Sequence, residues 1–281
     1  MKTYTLTQAH IRSYVRSLKE EEKAQATIEK YSGTLRGFFI WLEGRQVTRE
    51  AVAQWKAYLL EKGQAPSTVN AKLSAANSLF RFLGWKNCQV KFLKLQKRAF
   101  RDSSKDLTRE EYSRLLKTAN AMQAEWLALL METICATGIR VSEVKYITVE
   151  AIRSRRAEVY LKGKIRTILI PEKLCRKLKK YAGKKKIVCG EIFRSEDGKN
   201  LSRYQIWKAM KAICANAGVE ASKVFPHNLR HLFAATFYRV TRDIVKLADI
   251  LGHSCVETTR IYLMATGAEH ARQLEQLGLV N

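Results

Sequence analysis

Apolar residues in the first hundred positions recur every three to four residues, the period that lines one face of an α-helix. Ile28, Tyr31, Leu35, Phe38, Phe39 and Leu42 form one stripe, with Gly44 as its stop. Val69, Leu73, Ala76, Leu79, Phe80 and Leu83 form a second, opened by Pro66-Ser67-Thr68 as an N-terminal cap signal. Two further helices cover Leu6–Glu20 and Arg49–Lys62. The first 97 residues therefore predict a small all-α domain of four or five short helices, its apolar stripes explained by core packing. The run from Lys97 to Lys105 has no periodicity and reads as a linker over 98–105. Leu107-Thr108-Arg109-Glu110-Glu111 then opens a helix with a capping Thr and an acidic first turn, so a larger domain spans 106–281.

The pattern shortens to period two only between about 145 and 171. Glu158-Val159-Tyr160-Leu161 and Thr167-Ile168-Leu169-Ile170 read as two strands flanking the turn Lys162-Gly163-Lys164. Everything after Pro171 reads as helix separated by short loops. The expected fold class is mainly α with a small β-sheet (α+β).

Charge changes the picture from fold to partner. The chain has 281 residues, 51 basic against 26 acidic, a net charge of +25 and a pI near 10. Residues 1–100 hold 18 Lys/Arg and 7 Asp/Glu, and residues 101–281 hold 33 and 19, so the excess is spread over both domains. Two basic globular halves suit a clamp on a duplex, where one basic tail would suggest an appended arm. A basic membrane surface is the competing reading, but no long apolar stretch, lipidation signal or basic amphipathic anchor supports it. Hydrophobic residues at 46% exclude a disordered chain. Six cysteines are scattered without a Cys-x-x-Cys pair, and the N-terminus has no apolar signal segment, which fits reduced thiols in a cytoplasmic protein without structural zinc.

The candidate chemistry lies in a few residues of the second domain: Arg140, His227, Arg230, His253 and Tyr262. A guanidinium fork matches phosphate oxygens bidentately, imidazole accepts a proton near neutral pH, and a phenol needs its proton removed before it can attack. Together they suit attack by a tyrosine on a phosphodiester. His227 and Arg230 lie i and i+3 on a helix begun by Pro226 and so share a face. His231, one position further, reads as a buried neighbour, and Glu143 as a partner holding the Arg140 guanidinium or its helix. Taken alone, Tyr262 would be a half-buried helix residue and Lys162 and Lys164 a solvated hairpin tip. Lys184-Lys185-Lys186 reads as a solvated or phosphate-facing loop.

These residues sit in boxes that resemble those of the tyrosine recombinase (phage integrase) family. Thr137-Gly138-Ile139-Arg140-Val141-Ser142-Glu143 is similar to the segment with that family's first catalytic arginine, His227-Asn228-Leu229-Arg230-His231 to the second box, and Leu251-Gly252-His253 through Ile261-Tyr262 to the third. Thr68-Val69-Asn70-Ala71-Lys72-Leu73-Ser74 leading into Phe80-Arg81-Phe82-Leu83 resembles the helical core-binding domain. A lone Leu-Gly-His would be weak evidence. All boxes in order, with 23 positions from Arg230 to His253 and nine more to Tyr262, make the resemblance specific. One departure is Leu232, where many relatives carry a small hydroxyl residue, and packing variation accounts for it.

The resemblance implies a SAM-like core-binding domain over 1–97 and a catalytic domain over 106–281, in the simple two-domain, Xer-like arrangement. It implies site-specific recombination of double-stranded DNA through a 3′-phosphotyrosyl bond at Tyr262, with no metal or nucleotide cofactor. Arg140 and Arg230 would bind the non-bridging oxygens, His227 would take the proton from Tyr262, and His253 would donate a hydrogen bond to the phosphate. The family's catalytic lysine lies on a β-hairpin, where strand alignment favours Lys162 over Lys164. Inverted-repeat half-sites, a dimer per site, a tetramer in synapsis and a helix over Glu269–Leu277 docking on a neighbouring protomer belong to the same expectation. Two competitors share parts of it: a catalytically silent DNA-binding architectural or regulatory protein of this fold, and a relaxing enzyme of the type IB topoisomerase kind.

Overall fold

A computed structural model of the chain describes residues 3–95, 103–161, 164–195, 197–260, 262 and 275–276. The chain divides into two compact units, residues 1–97 and 98–281.

The first unit consists of helices α1 (Gln8–Glu20), α2 (Gln25–Leu42), α3 (Arg49–Glu61) and α4 (Pro66–Phe82), followed by a 3-10 turn at Lys86–Cys88. Each helix turns one apolar stripe inward, and Leu35, Phe38, Val52, Leu73, Leu79 and Phe80 are wholly buried in one core. Thr7 and Thr48 accept hydrogen bonds from the His10 and Ala51 amides and so cap α1 and α3. The start of α4 differs from expectation. Neither Ser67 nor Thr68 caps it; Ala65 is the N-cap without a side-chain bond, and Pro66 occupies the first helical turn, where its missing N–H costs nothing. The left-handed residue ending α2 is Glu43 at φ 47°, one position before Gly44, which also has positive φ. Two asparagines of α4 act as strand substitutes: Asn70 exchanges two hydrogen bonds with Leu93 and Asn77 two with Val90, binding the following segment to the helix.

The second unit is built around α6 (Glu125–Thr137), packed between α5 (Arg109–Ala121) and later helices. Eight of its thirteen residues are buried, as expected for a helix apolar on most faces. Thr108 and Glu111 form the reciprocal capping box expected at the start of α5. A 3-10 segment, Val141–Tyr146, and α7 (Val149–Ser154) lead into β1 (Arg156–Leu161) and β2 (Lys164–Leu169), an antiparallel pair in which Leu161 faces Lys164. Lys164 is thus a strand residue rather than part of the turn, because pairing extends to the tip of the hairpin. Lys162 and Gly163 lie outside the described residues.

Helices α8 (Glu172–Lys184), α9 (Arg203–Ala212), α10 (Pro226–Thr241), α11 (Ile244–Leu251) and α12 (Val256–Arg260) follow. The expectation of helices joined by short loops fails at 185–202. Among its described residues that stretch carries no helix, and isolated bridges join Thr148 to Glu191 and Arg194 to Asn200. The expected helix over Glu269–Leu277 lies outside the described residues, apart from Glu275 and Gln276. Among the described residues no helix is long and apolar enough to cross a membrane.

Candidate active site

Three segments far apart in sequence meet in the second unit. The first begins where α6 ends at Gly138, whose φ of +66° reverses the chain. A Cβ at this glycine would lie 2.5 Å from the Phe233 ring, so both backbone and space require the residue. The reversal delivers Arg140 to the N-cap of the 3-10 segment. There Glu143 receives the Arg140 amide at 2.8 Å and its Nη1 at 2.9 Å. Glu143 is only 1% exposed, and Arg140 remains partly open to solvent. The partnership anticipated from the i, i+3 spacing is therefore present.

Glu143 has a second cationic partner that the motif boxes did not include. Arg166 of β2 donates from Nη2 to Glu143 Oε2 at 2.5 Å and from Nη1 to the Ile250 carbonyl at 2.9 Å. No local sequence pattern marks it; strand register does. Arg166 pairs with Val159 on the buried face, whereas Ile165 and Leu169 are exposed. Burial lowers the Arg166 pKa, and the like charge of Arg140 adds to this while Glu143 opposes it.

The second segment is α10, with Pro226 in its first turn. Arg230 is almost wholly buried. Nη1 donates to the Gly138 carbonyl at 2.6 Å, and Nη2 reaches the Leu251 carbonyl at 2.7 Å and His253 Nε2 at 3.0 Å. Burial, then the charge on Arg140, pushes its pKa down to about 10, against the Tyr262 hydroxyl beside it, so it stays a cation at neutral pH. His227 is exposed at the start of the helix, and His231 is buried one turn on. Leu232 is partly buried against the main core, consistent with a packing role.

The third segment is the turn after α11. Gly252, at φ +64°, closes it, and a Cβ there would lie 2.5 Å from Arg166 Cδ. His253 follows. An arginine can only donate, so His253 Nε2 accepts from Arg230, and the ring proton resides on Nδ1, which faces Thr259 Oγ1 at 2.8 Å. Burial and then the Arg230 charge push the His253 pKa down to about 4, in keeping with a neutral ring. Tyr262 sits in a turn just past α12, its amide bonded to the Thr259 carbonyl. It is only 7% exposed and lies among three imidazoles, with ring centroids 5.2 Å from His231, 5.7 Å from His227 and 5.9 Å from His253.

Five of the six candidate residues thus converge, and the sixth, Lys162, is outside the described residues. Lys184 pairs with Glu125 at 2.7 Å, while Lys185 and Lys186 border a separate cleft of about 880 Å³ with Trp126 and Tyr181. The thiols of Cys88, Cys135, Cys175 and Cys214 are all pushed up by burial, which disfavours thiolate chemistry.

The arrangement offers two guanidiniums on one buried carboxylate, a third guanidinium held by carbonyls and an imidazole, a neutral imidazole with its proton direction fixed, and a phenol beside them. That is a pre-built site for an oxyanion. Comparison with known proteins agrees in fold and sequence. Residues 105–269 match the phage integrase family, and residues 11–87 match the phage integrase N-terminal SAM-like domain. The tyrosine recombinase XerA of Pyrococcus furiosus is 28% identical over 289 residues, spanning all of this chain and 98% of that relative. A lambda integrase dimer bound to a COC′ core site superposes with a TM-score of 0.74 at 18% identity, over 93% of this chain and 77% of that one. XerH recombinase bound to its difH substrate superposes with a TM-score of 0.69 at 19% identity, over 95% and 84%. The chain belongs to the phage integrase family.

Proposed function

We propose that this protein is a site-specific DNA recombinase that cuts and rejoins strands through a 3′-phosphotyrosyl intermediate at Tyr262. The observation carrying the reading is the convergence of Arg140, Arg230, His227 and His253 on the surroundings of one tyrosine, from three segments of the chain.

In this mechanism the Tyr262 oxygen bonds to the scissile phosphorus as the bond to the 5′-oxygen breaks. The bond energy is retained in the phosphotyrosyl ester, so a 5′-hydroxyl of another strand can reverse the step. Arg140 and Arg230 bind the non-bridging oxygens and offset the extra negative charge of the pentacoordinate state. Loss of one such preorganised donor typically costs about 10²–10³-fold in rate. His227 accepts the Tyr262 proton, since it is the exposed member of the three imidazoles and can pass that proton to solvent. His253 donates to phosphate only once its Nε2 has left Arg230 and carries a proton, by a change of tautomer or by protonation of the ring, because that nitrogen accepts in the resting arrangement. Lys162, or Lys164 in its place, protonates the departing 5′-oxygen. Acid or base groups of this kind contribute about 10²–10⁴-fold each. No step calls for a metal or nucleotide.

The protein's partner is double-stranded DNA, which the +25 charge favours. It acts as an oligomer: the lambda integrase neighbour is a dimer on its core site. Inverted-repeat half-sites, a synaptic tetramer, docking of the segment over 269–277 on a neighbouring protomer, a core-binding role for residues 1–97 and a cytoplasmic location complete the proposal. A catalytically silent DNA-binding role is the alternative, and it gives no reason for retaining a tyrosine among three imidazoles beside a buried guanidinium.

Covalent trapping separates the two. The protein is incubated with fragmented DNA from its own locus, denatured in SDS, and the attached fragments are sequenced, with Tyr262→Phe as control. Attachment by the wild type alone is expected. Equal background from both proteins, despite tight native DNA binding, would favour the silent binder.

A further inference from the structure

Arg166 is the charged side chain that the recombinase reading leaves without a task. It stands on the inner face of the hairpin, where its neighbours in register are Ala157, Val159 and Ile168, all buried. Burying an arginine there is costly unless its donors are satisfied. Both terminal nitrogens are: Nη2 by Glu143 Oε2 and Nη1 by the Ile250 carbonyl. Glu143 in turn holds the backbone amide and Nη1 of Arg140. One chain of hydrogen bonds therefore runs from the Ile250 carbonyl, at the end of α11 just before Leu251-Gly252-His253, through β2 of the hairpin, to the Arg140 guanidinium. Gly252 lets the turn approach, since a Cβ there would meet Arg166 Cδ, Nε and Nη1 at 2.5, 3.0 and 3.0 Å.

We propose that Arg166 is a positioning residue for strand cleavage: it locks Glu143, and through it Arg140, to the turn that presents His253. This rests on the recombinase reading and adds to it a residue that touches no phosphate. With both Nη atoms engaged by protein acceptors, Arg166 works by fixing where the others point. A catalytic group misplaced by about 1 Å can lose about 10²-fold in rate.

The test uses the full chain and a nicked duplex carrying the cleavage site recovered by SDS trapping, from which the covalent complex cannot be religated. Arg166→Ala, Arg166→Lys, Glu143→Gln and the double variant Arg166→Ala/Glu143→Gln are compared for rate of covalent complex formation, DNA affinity and thermal midpoint. Arg166→Ala is expected to slow covalent attachment about 10- to 100-fold, with DNA affinity unchanged within about twofold. Arg166→Lys should recover little, because one ammonium cannot span acceptors on two segments. Millimolar guanidinium chloride, against equal sodium chloride, should restore part of the rate to Arg166→Ala and none to Arg166→Lys. In the Glu143→Gln background the Arg166→Ala loss should shrink, since both act through one link. Should Arg166→Ala melt below the assay temperature, Arg166→Lys carries the same rate comparison. An Arg166→Ala rate within threefold of wild type, a rate loss matched by lost DNA affinity, or full additivity with Glu143→Gln would overturn the proposal. A wild type that never attaches to DNA would instead overturn the recombinase reading itself.

Discussion

The two halves of the site hold their arginines by opposite means. In the half built from residues 138–166, Arg140 and Arg166 share one buried carboxylate, and Arg140 stays partly solvated. In the half built from residues 226–262, Arg230 is buried, and the acceptors described for it are all neutral: two carbonyls and an imidazole. A cation buried among dipoles keeps its charge at a desolvation cost, whereas a paired one is largely compensated. The first half therefore supplies an adjustable, compensated arm, and the second a fixed centre of positive potential. An incoming phosphate gains most from the second, because its charge offsets a desolvation already incurred when the chain folded.

The largest expected effect follows from replacing each arginine by lysine. Arg230→Lys leaves either the Gly138 or the Leu251 carbonyl without its donor, and an unsatisfied buried acceptor costs about 1–3 kcal/mol. It should slow covalent attachment about 10³-fold and also lower the urea midpoint. Arg140→Lys can still meet Glu143 from a partly solvated position, so it should lose rate with little loss of stability. Cleavage kinetics and urea titration of both variants test the contrast. If Arg140→Lys proves the more destabilising, the division into a fixed and an adjustable half fails.

A smaller effect should appear with pH. His253 has a folded-state pKa near 4, held below its ordinary 6.5 by burial and the neighbouring guanidiniums. Between those values the unfolded chain binds a proton that the folded chain refuses. The stabilisation is thus present above about pH 6.5 and is lost as pH falls through about 4. His253→Asn should flatten this part of the pH profile of the urea midpoint. An unchanged slope would mean that His253 is protonated in the folded protein and donates from both nitrogens, which contradicts its bond to Arg230.

Legibility in the sequence divided along the same line. The motif boxes named Arg140, Arg230, His253 and Tyr262 because each lies in a short local pattern, and helix periodicity located α1 to α4 because their stripes are uninterrupted. Arg166 was missed because its meaning depends on strand register: only the pairing with Val159 reveals that it points inward while Ile165 points out. Thr259, which orients the His253 ring, was missed for a similar reason, its partner lying six residues away across a turn. The α4 cap was misread because Pro66 supplies the helix start by its fixed φ, without help from the hydroxyls that follow. The stretch at 185–202 was expected to be only short loops between helices, and its bridge from Glu191 to the distant Thr148 is invisible to local pattern.

The two motif glycines offer the finest division between the halves. Both have positive φ, so a substitution to alanine at either costs about 1 kcal/mol in backbone strain. Their neighbours differ. At Gly138 the new Cβ would meet the Phe233 ring at 2.5 Å and Leu251 at 3.1 Å, both packed side chains, so overpacking adds about 1–3 kcal/mol. At Gly252 the three nearest atoms all belong to the Arg166 side chain, which can swing away at the expense of its bonds to Glu143 and Ile250. Gly138→Ala should therefore lower the urea midpoint more than Gly252→Ala. Gly252→Ala should lose more cleavage rate for each unit of stability lost, because the side chain it displaces positions Arg140. Parallel losses of rate and stability in both variants would mean that Arg166 only fills space against the turn.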